Sequence, residues 1–379
     1  MHPVDLIAPS KTLEVDSLAK KLISEGKDVV NLTAGEPDFQ TPRPIIEEAI
    51  NALNKGLTKY TDSNGILPLR EAISKYLKEK KKVQFTPDEI VVSNGGKQAL
   101  FNAFASILDE GDEAILFAPY WVSYPAQITM VRAKPVVVRT SFERQFVPTV
   151  DELLSAITLK TKLIVVNSPN NPSGGIYDYE TMKAIADIAN EKRIYVISDE
   201  VYDDLVYEGN HVSMYGLVDD DLLIYVNAFS KSHAMTGWRV GYVATKNKDI
   251  KKRISKIQSH LSSNINTTAQ YAAIKACETD NSYMIEEFKK RRKFVVEKAE
   301  EYGLSFVEPK GAFYLFFKVK GSDEEFCKRL LSEKLVATVP GSAFDMPGFV
   351  RMSFATNIGT LDKGLERIKE FMEEWDKNF

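Results

Sequence analysis

Cysteine is scarce. The 379 residues hold two, Cys277 and Cys327, in separate segments. No CxxC pair and no Cys/His cluster occurs, which excludes a disulfide scaffold and a structural zinc site. Both thiols are expected as small buried hydrophobes. Long apolar runs are missing too. The longest, Ala312–Phe317, spans six residues, against about 20 for a membrane-crossing helix. There is no basic surplus: 49 Lys and Arg face 53 Asp and Glu, a net charge of −4. Such a balance gives no electrostatic footprint for nucleic acid. The N-terminal stretch MHPVDLIAPSKTLEVD lacks a basic segment followed by an apolar core. No signal peptide is therefore expected, and the expected compartment is the cytoplasm. Repeats, low-complexity tracts and Gly/Ser linkers are also absent.

What is present is ordinary globular composition, 44% hydrophobic and 27% charged, in a chain long enough for roughly two or three domains. The middle alternates short β-rich runs with helical patterns. Strands are predicted at Glu113–Ala118, Lys134–Val138, Lys162–Asn167, Arg193–Ser198, Leu222–Asn227 and Trp238–Ala244. Helices are predicted at Pro68–Lys81, Lys97–Leu108, Tyr179–Glu191 and in a long stretch after Asp249. Continuous apolar strands such as Leu163-Ile164-Val165-Val166 suit a sheet covered on both faces. The alternation predicts an α/β fold with a largely parallel sheet. After about residue 285 the texture changes. A charged helix, Met284–Tyr302, leads to strand-like runs at Ser305–Val307, Phe313–Val319 and Val350–Ala355 and a final amphipathic helix. This predicts a large α/β domain over 40–285 and a smaller α+β domain built from 1–39 and 286–379.

Ligands of open α/β sheets sit beyond the carboxyl ends of the strands. Three predicted strands end on polar groups: Asn167 to Gly174, Asp199-Glu200-Val201-Tyr202, and Phe229-Ser230-Lys231. Lys231 follows an apolar strand and precedes Gly237 and another apolar strand. A lysine desolvated there loses proton affinity, and its free amine becomes a nucleophile toward carbonyls.

The run Lys231-Ser232-His233-Ala234-Met235-Thr236-Gly237-Trp238-Arg239-Val240-Gly241 resembles the pyridoxal-phosphate attachment site of class I aminotransferases. Asn171-Pro172-Ser173-Gly174, Asp199-x-x-Tyr202, Lys231 and Arg351 match that family in order, at intervals of 28, 32 and 120 residues. The similarity runs from Thr33-Ala34-Gly35-Glu36-Pro37 to the C-terminus. The run Gly95–Phe101 is similar to the branch of bacterial and archaeal aspartate aminotransferases. The resemblance implies the pyridoxal-phosphate-dependent transferase fold (fold type I), pyridoxal 5'-phosphate as cofactor, and amino acid and 2-oxo acid substrates. It also implies a homodimer with shared active sites and neither a nucleic-acid nor a membrane partner.

Residue by residue, the resemblance implies a division of labour. Lys231 would hold the cofactor as a Schiff base and move the proton at the substrate α-carbon. Asp199 would face the pyridine nitrogen and keep it protonated. Tyr202 and Asn171 would hydrogen-bond the ring's phenolic oxygen. Gly95, Gly96 and Lys97, at a helix N-terminus, would cradle the phosphate, with Arg239 adding a bidentate contact and Tyr60 reaching it from the neighbouring subunit. Trp121 would stack on the ring. Arg351 would clamp the α-carboxylate, with Asn171 and the Gly35 backbone assisting. Lys97 would meet a distal carboxylate, and Thr12, with Ser10, would close over the substrate.

Two positions depart from the family pattern. Ala228 stands three residues before Lys231, where many relatives have Ser or Gly, so one phosphate hydrogen bond is expected to be missing or supplied elsewhere. The first arginine is Arg43, whereas relatives that also use prephenate carry one near the N-terminus. The expected activity is amino transfer from L-aspartate to 2-oxoglutarate. The alternatives are an aromatic or broad-specificity aminotransferase, or a β-lyase on the same fold.

Overall fold

A computed structural model describes residues 2–379. Seven strands form the main sheet: β1 (Ile90–Asn94), β2 (Glu113–Ala118), β3 (Lys134–Arg139), β4 (Thr161–Asn167), β5 (Tyr195–Asp199), β6 (Leu223–Ala228) and β7 (Val240–Ala244). Their order is β1-β7-β6-β5-β4-β2-β3. All neighbours pair in parallel except at β7, which is antiparallel to both β1 and β6. The parallel strands therefore bring their carboxyl ends to one edge.

Strand alternation splits the apolar residues between two cores. Ile115, Ile164, Val166, Val196 and Tyr225 pack on one face. Leu116, Leu163, Val165, Ile197 and Val226 pack on the other. Period-2 side-chain direction is the cause, and both faces are covered by helices, as unbroken apolar runs require.

A four-stranded antiparallel sheet follows later in the chain. Its order is Val339–Pro340, Phe349–Ser353, Tyr314–Lys318, Phe306–Val307. Helices Ser282–Glu301, Asp323–Lys334 and Ile358–Trp375 contribute to its core, in which Phe288, Phe313, Phe326, Phe371 and Trp375 are buried. Tyr202, Leu205 and Tyr207, from the turn after β5, insert into this second core. That insertion joins the two sheets beside the carboxyl edge of the first. The N-terminal part of the chain also lies here. Val30–Asn31 pairs in parallel with Val336–Ala337, and helix α1 (Lys11–Ser24) packs Ala19 against Leu331 and Ala337.

Several elements differ from the sequence expectation. β1 was not predicted: its apolar core is only Ile90-Val91-Val92, and β7 pairing, a non-local contact, makes it a strand. The stretch after Asp249 is two helices, Lys248–Ser262 and Thr267–Ala276. Ser263 has φ +56° at the break, and the Asn266 side chain accepts from the Ala269 N–H to cap the second helix. The helix predicted over Pro68–Lys81 is α-helical only over Leu67–Tyr76, and Leu77–Lys81 forms a π turn. Lys81 there reaches Asp203 at 3.0 Å and also Asp204. Both cysteines are free, and Cys327 is buried, as expected of a small hydrophobe. No helix among the described residues is long and apolar enough to cross a membrane.

Candidate active site

The carboxyl edge of the main sheet, the second sheet and α1 enclose a cavity of about 580 Å³. That volume suits a drug-sized ligand. The strand register sets its floor. Asn167 and Asp199 are paired neighbours on β4 and β5. Ala228 pairs with Gly241 across β6 and β7. Lys231 lies in the single helical turn Phe229–Ser232 that follows β6.

Lys231 is half-buried, and its Nζ donates to the Gly35 carbonyl. Its pKa is drawn down to about 8, chiefly by burial and further by the cations of Arg239, Arg351 and Lys97, with Glu36 opposing. An amine so placed gives up its proton more readily than an ordinary lysine.

Asp199 is 4% exposed. Its Oδ2 accepts from the Tyr124 hydroxyl at 2.5 Å, and its Oδ1 from the Val201 N–H at 3.3 Å. Burial raises its pKa to about 6 against the pull of those two donors. The carboxylate is thus poised, short of a cationic partner.

Arg351, on Phe349–Ser353, is also buried. Its Nη1 donates to Asn171 Oδ1 and its Nη2 to the Thr33 carbonyl, each at 2.9 Å. Its Nε is buried without a partner. The guanidinium lies 4.4 Å from the Tyr314 ring centre and 5.0 Å from that of Phe344. Aromatic faces hold its plane in place, and no carboxylate among the described residues neutralises it. A buried, uncompensated cation that opens on a cavity is built to receive an anion.

A second unneutralised cation lines the same cavity. Helix α2 (Gly95–Ile107) carries Lys97 in its first turn, and Lys97 Nζ lies 5.0 Å from the Trp121 ring centre. Burial and Arg239 lower its pKa. No carboxylate pairs with it among the described residues.

The first turn of α2 has no side-chain cap, so its amides are free to bind an anion. Arg239 donates to the carbonyls of Thr236 at 2.8 Å and Asn94 at 3.2 Å, which lays its guanidinium along this turn. Two glycines permit the approach. A Cβ on Gly95 would stand 2.4 Å from Arg239 Nη2, and one on Gly241 would stand 2.4 Å from the Gly96 nitrogen.

Of the residues singled out in the sequence, Thr12, Gly35, Gly96, Lys97, Trp121 and Asn171 line the cavity. So do Asp199, Tyr202, Lys231, Arg239 and Arg351. Two do not. Gly95 lies behind the wall, where it makes room for Arg239. Tyr60 is 88% exposed and away from the cavity of its own chain. Ser10 and Thr12 share a hydrogen bond of 2.9 Å at the mouth.

The sequence reading missed Tyr124 and Tyr314, both buried and both on the wall. Tyr124 follows Trp121 by three residues, at the start of helix Ser123–Met130, and the two rings meet edge to face at 5.5 Å. Tyr314 is hidden in the longest apolar run of the chain, where it reads as core. Ser230, singled out in the sequence only as part of a polar strand end, lines the wall along with Ala228.

Comparison with known proteins decides the family. The family model described as aminotransferase class I and II matches residues 27–368. The chain belongs to the class I and II aminotransferases. It is 54% identical to the aspartate aminotransferase of Thermotoga maritima over 364 residues, 96% of each chain. The crystal structure of the Thermotoga maritima aspartate aminotransferase superposes with a TM-score of 0.95, at 52% identity, covering 98% of this chain and 100% of that one. The Thermus thermophilus aspartate aminotransferase with maleate gives a TM-score of 0.94 at 40% identity, covering 98% of this chain and 99% of the other.

Aminotransferases of this class use pyridoxal 5'-phosphate. The cavity fits that group by its own chemistry. It offers a half-buried amine of lowered pKa, a buried carboxylate short of a cationic partner, and an uncapped helix N-terminus with an arginine beside it.

Proposed function

We propose that this aminotransferase takes its amino group from L-aspartate and passes it to 2-oxoglutarate. One observation carries the reading: Arg351 and Lys97 are two unneutralised cations on the wall of one cavity. A substrate with a carboxylate at each end satisfies both. A neutral or aromatic side chain would leave Lys97 desolvated without a counter-charge, which is unfavourable. The Thermus thermophilus relative was solved with maleate, itself a dicarboxylate.

When bound, pyridoxal phosphate supplies an electron-poor ring that takes up the electron pair left at the substrate α-carbon. Lys231 Nζ is the amine that would hold the cofactor aldehyde, and it would be placed to move the proton at the substrate α-carbon. Asp199 holds the ring nitrogen protonated, and the Tyr124 hydroxyl at 2.5 Å keeps Asp199 ionised and oriented. The α2 first turn, Arg239 and the Ser230 hydroxyl hold the phosphate, Ser230 standing in for the hydroxyl that Ala228 lacks. Trp121 covers the ring. Asn171 and Tyr202 donate toward the ring oxygen, and Arg351 fixes the α-carboxylate.

The reading extends to a homodimer in the cytoplasm. Tyr60 is free to serve a partner's phosphate site, and Ile50, Leu53 and Leu67 are exposed in the same part of the chain. The two sheets with their cores serve as the large domain, 40–285, and the small domain, 1–39 with 286–379.

The test is a half-reaction series. Holoenzyme is mixed in turn with aspartate, glutamate, alanine, phenylalanine and tyrosine while cofactor absorbance is followed. Aspartate and glutamate should convert the cofactor to its amine form well ahead of the others. Faster conversion by aromatic or neutral amino acids would overturn the dicarboxylate assignment.

A further inference from the structure

We infer that Tyr314 is a positioning residue: its hydroxyl donates to the Tyr202 hydroxyl, so that the proton of Tyr202 is directed at the cofactor's ring oxygen. The inference rests on the role given to Tyr202 above.

The two phenol oxygens lie 3.0 Å apart, and both side chains are buried. The rings meet edge to face, 6.0 Å between centres at 80°, so the contact joins hydroxyls and not ring faces. Each phenol has one proton. If Tyr202 spent its proton on Tyr314, it would face the cofactor only as an acceptor, opposite an anionic oxygen. The reverse arrangement satisfies every group.

The surroundings choose that reverse arrangement. The Arg351 guanidinium lies 4.4 Å from the Tyr314 ring centre. A cation so close stabilises negative charge on that phenol and makes it the better donor. Burial raises the pKa of both tyrosines and Arg351 opposes it at both, while the contact between the two hydroxyls pushes Tyr202 further up and holds Tyr314 back. The more acidic phenol gives its proton to the less acidic one. Hydrogen bonds in such a chain strengthen one another, so Tyr314 raises the donor strength of Tyr202. Tyr314 touches neither the reacting atoms nor the cofactor in this scheme; it acts through Tyr202.

The spectroscopic consequence has a definite sign. Donation to the ring oxygen draws charge away from the neighbouring Lys231 nitrogen. Weaker donation leaves more negative charge beside that nitrogen, which then keeps its proton to higher pH. The experiment is a pH titration of bound-cofactor absorbance, without substrate, in wild type, Tyr202→Phe, Tyr314→Phe and the double variant. Phenylalanine at 314 keeps the ring against Phe313 and the ring at 202. Tyr202→Phe should raise the midpoint. Tyr314→Phe should raise it by a smaller amount, about 0.3–0.7 pH unit, and add nothing once Tyr202 is Phe. A Tyr314→Phe midpoint equal to wild type, with Tyr202→Phe shifted, would overturn the inference alone. So would an equal Tyr314→Phe shift in both backgrounds. A Tyr202→Phe midpoint that does not move would instead overturn the role given to Tyr202 and this inference with it.

Discussion

Replacing Lys97 by methionine removes a charge while keeping most of the side-chain volume against Trp121. The Nζ sits 5.0 Å from the Trp121 ring centre with no carboxylate partner of its own, so its loss unpairs nothing in the free enzyme. The cost falls on whatever anion binds there. Two unit charges about 4 Å apart at an effective dielectric of about 20 attract by roughly 4 kcal/mol. Lys97 is exposed at the cavity mouth, and ordering its side chain costs entropy, so about half of that survives, roughly 2 kcal/mol. The rate constant ratio kcat/KM for aspartate should fall about 30-fold. Alanine has no distal carboxylate for Lys97 to meet, and its kcat/KM should stay within about twofold. The assay is stopped-flow half-reaction kinetics with both amino acids on both proteins. Equal losses for aspartate and alanine would refute the assignment of Lys97 to the distal carboxylate. They would place it instead in phosphate binding or in the architecture of α2.

Three further perturbations test the remaining parts of the site. Lys231 has a folded-state pKa below its unfolded value, so it destabilises the apoprotein at low pH, and stability rises as pH climbs from about 8 toward 10.5. Lys231→Met apoprotein should therefore be more stable than wild-type apoprotein to urea at pH 7, by about 2 kcal/mol, with the gap closing by pH 10; a wild type at least as stable at pH 7 would contradict the desolvation reading. Arg351→Lys keeps the charge but loses the planar fork that binds Asn171, Thr33 and a carboxylate together, so KM for every amino acid should rise at least tenfold, and a substrate-selective rise would show that Arg351 reads the side chain and not the shared α-carboxylate. Gly95→Ala puts a Cβ 2.4 Å from Arg239 Nη2 at φ +76°; the left-handed backbone costs about 1 kcal/mol, Arg239 must swing away, and cofactor affinity of the apoprotein, measured by fluorescence quenching, should drop severalfold, whereas unchanged affinity would separate Arg239 from phosphate binding.

The sequence by itself determined most of the sheet and which residues meet at its carboxyl edge. Runs such as Leu163–Val166 are apolar at every position, and only a strand covered on both faces can bury them all, so the α/β layering was legible. Lys231, Asp199 and Asn171 follow strands at their carboxyl ends, and parallel pairing must bring such ends to one edge. Chain order alone therefore brought these residues together. What the tertiary structure decided is pairing across distance. β1 became a strand, and β7 an antiparallel one, because each completes the other's hydrogen bonds across about 150 residues. Tyr124 and Tyr314 entered the site through hydroxyl contacts to Asp199 and Tyr202 that lie 75 and 112 residues away in the chain. A hydrophobic pattern shows that an aromatic side chain is buried. It does not show which polar group its one hydroxyl meets, because that depends on how two separate cores pack against each other.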